Sequence, residues 1–109
     1  MSRTLRIVER ARSDVDEIFN WLVHRSVQGA IAWYLAFRHA LEKIASSPED
    51  FAEAAESHPL GRQLRQALFK TRRGRVYRIV FEASDTEVMI LRVRGPGQSP
   101  LRRRDLPGQ

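Results

Sequence analysis

The feature that most constrains this chain is a change in the spacing of its apolar residues near position 64. Before that point they recur every three or four residues, and after it every second residue. A period near 3.6 buries one stripe of a helix, and a period of two buries one face of a strand. The chain is therefore expected to be an α+β protein with helices first and a sheet after them.

In the first half, Leu5 and Ile7 alternate with polar residues and read as a short strand over residues 3–9. Ser13 followed by Asp14, Asp16 and Glu17 suits a helix N-cap and first turn, predicting a helix over about 12–24. Its apolar face is Val15, Ile18, Phe19 and Leu22, with Trp21 flanking. After a break at Ser26 to Gly29, Ala30, Trp33, Tyr34, Phe37, Leu41 and Ile44 follow helical spacing until Pro48. Two helices with one apolar face each form an αα-hairpin, and Trp21, Trp33, Tyr34 and Phe37 are expected in its core.

Residues 48–63 lack periodicity and read as a connection with one short helical turn. Three strands follow, LRQALFK, VYRIVFE and EVMILRV, joined by short turns into an antiparallel meander. Parity puts Tyr77, Ile79 and Phe81 on one face and Val76, Arg78 and Val80 on the other. In the last strand it groups Met89, Leu91 and Val93 against Val88, Ile90, Arg92 and Arg94. Arg78, Arg92 and Arg94 are expected to share a face, the one left open and basic when the helices cover the other. The sequence divides into a domain over 1–95 and a basic Gly/Pro-rich tail over 96–109.

Charge sharpens this division. Of 109 residues, 19 are Lys or Arg and 13 Asp or Glu, a net charge of +6. Residues 1–60 carry 7 cations against 9 anions, whereas 61–109 carry 12 against 4. Seventeen of the cations are arginines, suited to bidentate contacts with phosphate or carboxylate. An anionic partner is expected for the second half, through Arg65, Lys70, Arg72, Arg73, Arg75, Arg78, Arg92 and Arg94, with Arg102, Arg103 and Arg104 as an electrostatic arm. Solvated turns and strand ends are the alternative for Arg72, Arg73 and Arg75.

Several classes of chemistry are disfavoured. The chain has no cysteine, so thiolate catalysis and disulfides are excluded. Its three histidines, His24, His39 and His58, are scattered and read as surface or capping residues; neither a metal site nor a cofactor is expected. No P-loop, GxGxxG, HExxH or nucleophile elbow is present. Charges interrupt every apolar run at the N-terminus, so no signal peptide or membrane span is expected, and a cytoplasmic protein is.

The order ARSDVDEIFNWL, a second helix ending in SSP, VYRIVFE and EVMILRV resembles the RelE/ParE superfamily of toxins from bacterial type II toxin-antitoxin (plasmid-stabilisation) modules. The likeness covers roughly residues 3–95. It implies that fold, and a cognate antitoxin that wraps and neutralises the toxin. RelE-like members cut mRNA on the ribosome, without a metal; several ParE-like members poison DNA gyrase. Arg78 matches the strand arginine that the nucleases place on phosphate, and Lys70 stands near their strand lysines. The stretch after the last strand reads GPGQSPL, where nucleases carry a basic residue or histidine and then a tyrosine. The resemblance thus points to a ParE-like toxin acting by binding, with Arg65, Arg73, Arg75, Arg92, Arg94 and Arg102 to Arg104 as contacts. The alternatives are a ribosome-dependent mRNA endonuclease using Arg78 and Lys70, or a non-toxic nucleic-acid-binding module.

Overall fold

The computed structural model describes residues 3–107. Strand β1 (Thr4–Ile7) leads into the hairpin of α1 (Glu9–Val23) and α2 (Val27–Ser46). A 3-10 turn at Pro48–Asp50 and the short α3 (Ser57–Leu60) connect to β2 (Arg65–Phe69), β3 (Tyr77–Ala83) and β4 (Glu87–Arg94). A second 3-10 turn at Arg103–Asp105 closes the C-terminal segment. The α+β architecture with the hairpin on one sheet face is the expected one.

The sheet is four-stranded in the order β1-β4-β3-β2. The meander of β2, β3 and β4 is antiparallel, but β1 pairs with β4 in parallel, Thr4 opposite Glu87 and Ile7 opposite Ile90. Parallel neighbours need a long crossover, and the helical hairpin with the first two meander strands supplies it.

Helix α1 begins earlier than its sequence signals indicate. The Val8 N–H bonds to the Ile90 carbonyl at 3.1 Å, so the strand pairing ends directly in an extended N-cap and Glu9 opens the helix. Ser13 lies inside the helix and caps nothing. Helix α2 is capped by Ser26, whose Oγ accepts the Gly29 N–H at 3.0 Å.

The main core lies between hairpin and sheet. Val15, Trp33, Phe37, Leu41 and Ile44 from the helices meet Phe69, Tyr77, Ile79, Phe81, Val88, Ile90 and Val93. Trp33 is central, stacked on Phe37 at 5.8 Å and edge-on to Tyr77 at 5.5 Å. Of the aromatics expected in the hairpin core, Trp21 is 56 % exposed and lies largely outside it, and Tyr34, 38 % exposed, packs edge-on to Phe19 at 6.2 Å on its margin. They sit at the flanks of their helical stripes, where the sheet does not reach.

The opposite face is covered, contrary to expectation. Val80 and Leu91 pack with Ala54 and Leu64 from the connection and with Leu101 and Leu106 from the C-terminal segment, a second core. The apolar residues of β3 and β4 leave two faces to bury; the hairpin covers one, and Ala54, Leu64, Leu101 and Leu106 cover the other.

Candidate functional site

Arg78, Arg92 and Arg94 do share the second face, for a reason absent from simple parity. Arg78 is opposite Arg94 and Val80 opposite Arg92, but Phe81 is opposite Ile90, so Leu91 is an extra residue in β4. This bulge turns Leu91 and Arg92 to the same side and inverts the alternation beyond it. Val93 consequently faces the helices with Val88 and Ile90, rather than grouping with Met89 and Leu91.

Each arginine of this row is engaged within the chain. The Arg78 guanidinium meets both carboxylate oxygens of Glu56, one at 3.0 Å, and donates to the Gln66 Oε1 at 3.0 Å. Glu56 is 5 % exposed and also accepts the Leu101 N–H at 3.0 Å. The hydrogen-bonded Arg78 is the main reason its carboxyl titrates well below the usual range, at about 2, against the opposing effect of burial.

Arg92 is 6 % exposed and forks onto Asp14, Nε to Oδ2 at 2.7 Å and Nη2 to Oδ1 at 2.9 Å. Its Nη1 donates to the Asp105 carbonyl at 3.0 Å, and Asp14 also accepts the Val93 N–H at 2.9 Å. The hydrogen bonds to Asp14 raise the Arg92 pKa. Arg94 has no carboxylate within 4.0 Å among the described residues; its Nη2 donates to the Ser99 carbonyl at 2.7 Å. Burial first, then the charge of Arg92, lowers its pKa, and its buried Nε has no acceptor.

The remaining predicted positions scatter. Arg65 donates to the Phe51 carbonyl at 2.6 Å. Lys70 is exposed just past the end of β2, and Arg72, Arg73 and Arg75 are exposed in the β2–β3 turn. Arg102, Arg103 and Arg104 are exposed in and beside the last 3-10 turn, which is fastened by Asp105 accepting the Arg102 N–H at 2.7 Å. His24 and His39 lie on the helical hairpin, and His58 is exposed in α3.

Sequence reasoning missed the acids that complete this site. Asp14 reads as a first-turn helix acid and Glu56 as a loop acid; only the fold brings each against an arginine from the other half of the chain. It also missed Arg62, which donates to Glu82 at 2.8 Å and to the Pro107 carbonyl at 2.9 Å. The signal available was the opposed charge of the two halves, which is in part the complementarity of internal ion pairs.

Among the described residues no group of three or more His, Asp or Glu side chains is arranged to hold a metal ion. No helix is long and apolar enough to cross a membrane.

This arrangement, a helical hairpin on a sheet with an arginine row behind it, occupies the stretch that a known family describes. Residues 5–100 match the model of the ParE toxin of the type II toxin-antitoxin system, parDE. The chain belongs to that family. No curated protein matches it. As a ParE-family toxin, it is the toxin component of a type II module, and the family implies a cognate antitoxin as its partner. The matched stretch ends one residue before Leu101, the first of the two leucines that the C-terminal segment of this ParE-family toxin buries.

Proposed function

We propose that this chain is a cytoplasmic toxin neutralised by an antitoxin encoded beside it, and that it acts by binding a cellular target, with DNA gyrase the first to test, rather than by cutting RNA. The observation that carries the second part is the state of Arg78. In a phosphate-cutting site this side chain would face the scissile group. Here Glu56 holds both of its terminal nitrogens, and Gln66 takes one of them as well. A guanidinium already neutralised by a buried carboxylate has little to give a developing negative charge. Lys70 is exposed beyond the end of β2, opposite no residue of the arginine row in the strand register.

The proposal is tested by tightly induced expression of the wild-type chain and of Arg78→Ala, with messenger integrity and plasmid supercoiling read from the same cultures. Growth arrest with intact mRNA and altered supercoiling is the expected result. Codon-phased mRNA cuts that disappear in Arg78→Ala would establish the endonuclease reading instead. Relief of arrest by co-expression of the neighbouring open reading frame tests the antitoxin separately.

A further inference from the structure

A cleft of about 950 Å³ opens between the end of the helical hairpin and the β2–β3 turn, away from the paired arginine row. Trp21, Leu22 and Arg25 of the hairpin form one wall, and Arg73, Gly74 and Arg75 of the turn the other. Trp33 and Tyr77 also line it. Three observations on this cleft point the same way.

The first is charge. Among the described residues, no carboxylate lies within 4.0 Å of Arg25, Arg73 or Arg75, in contrast to Arg78 and Arg92. Among the described residues, Glu17 is the only carboxylate in the lining. The second is the start of α2, which reaches the cleft at Ser26 and Gly29. A helix of 20 residues presents its positive end there; Ser26 Oγ already holds the Gly29 N–H, so the attraction for an anion is that of the dipole. The third is Trp21, 56 % exposed, with the Arg25 guanidinium over its ring at 4.6 Å from the centroid. A cation covers one part of this aromatic surface, and what is left exposed is suited to stacking a planar ring.

The geometry points to a mononucleotide-binding site: a phosphate held by Arg73, Arg75 and the start of α2, with a planar base against the exposed part of Trp21. The volume suits such a ligand, since small-molecule sites run from about 300 to 1,000 Å³. An acidic peptide would satisfy the arginines as well, but it supplies no flat ring for the exposed Trp21 face. The site requires nothing of the toxin's target or of its antitoxin, so it stands or falls apart from the function proposed above.

The chain has two tryptophans, and both line the cleft, so intrinsic fluorescence reports its occupancy directly. The purified full chain is titrated with AMP, GMP, adenosine, inorganic phosphate, a short single-stranded DNA and a glutamate-rich peptide. Saturable quenching by AMP or GMP is expected, with adenosine and phosphate each binding at least about tenfold more weakly, the value of one lost charge-assisted contact. Arg73→Glu with Arg75→Glu, two exposed turn positions, is expected to weaken the nucleotide by more than about tenfold without changing the circular dichroism. Trp21→Ala, followed through Trp33, is expected to weaken it several-fold. Phosphate binding as tightly as AMP would reduce the cleft to a simple anion site and overturn the assignment. Preference for the DNA or the peptide over both nucleotides would overturn it in favour of a macromolecular surface. An absence of response to AMP and GMP at millimolar concentration would also overturn it.

Discussion

Glu56 holds two parts of the chain at once, Arg78 of β3 and the backbone at Leu101. Its two oxygens hold the Arg78 guanidinium, and one of them also takes the Leu101 N–H, so one buried carboxylate ties β3 to the C-terminal segment. Removing it leaves Arg78 with Gln66 but no carboxylate, and that amide without its acceptor. Glu56→Ala is expected to destabilise the fold by about 2–4 kcal/mol in urea denaturation, below the range for a fully buried pair because Arg78 keeps partial access to water. The same carboxyl sets a pH response. Its pKa falls from 4.5 to about 2 on folding, a depressed value, so its contribution is present above about 4.5 and is lost as pH falls toward 2. Stability curves between pH 5 and pH 2 should therefore slope less for Glu56→Gln than for the wild type, even though the variant is weaker at neutral pH. Equal slopes would mean that other carboxylates dominate acid unfolding.

At the scale of elements, the bulge in β4 decides which side chains the second face carries. Were Leu91 kept in regular alternation instead, Arg92 would turn toward the helices, where Val88 and Ile90 pack. Deletion of Leu91 leaves Phe81 opposite Ile90 and Val80 opposite Arg92 and restores the alternation, so unfolding is expected to stay cooperative at a cost of about 2–5 kcal/mol for the lost buried leucine, whereas Leu91→Val is expected to cost no more than about 1.5 kcal/mol. Thermal denaturation of the two variants checks this, and loss of cooperativity on deletion would show that the bulge itself is required. The start of α2 makes a smaller contribution. Ser26→Ala removes the acceptor for the Gly29 N–H and should cost about 1 kcal/mol, seen as a lowered Tm.

For the molecule as a whole, the C-terminal segment is part of the fold. Leu101 and Leu106 are 4 % and 7 % exposed, and Arg92, Arg94 and Arg62 donate to the carbonyls of Asp105, Ser99 and Pro107. The arginines of the sheet thus fasten the tail as well as their own carboxylates. A chain ending at Gln98 loses both leucines and should be less stable by several kcal/mol, at about 2–4 kcal/mol for each buried leucine removed. Hydrogen exchange should report the loss at Val80 and Leu91, which the two leucines cover. Unchanged protection there would show that the segment adds little to the second core.

The boundary between what was legible in the sequence and what was not follows from the range of the forces involved. Apolar periodicity is a local signal, and it located the hairpin and all four strands, placed Trp33, Phe37, Ile79 and Phe81 in the core and gave the superfamily by the order of its elements. The start of α1 escaped it because a backbone bond from Val8 to Ile90, distant in sequence, determines where strand becomes helix. The fate of the arginines escaped it for the same reason. A guanidinium in a sequence carries its charge but not its partner. Asp14 and Arg92 are 78 positions apart, and Glu56 and Arg78 are 22. The sequence by itself determined that this would be a helical hairpin on an arginine-bearing sheet. Only the tertiary structure decided which arginines spend their charge on internal carboxylates and which, at Arg25, Arg73 and Arg75, have no such partner within 4.0 Å among the described residues, because ion pairing depends on distance in space.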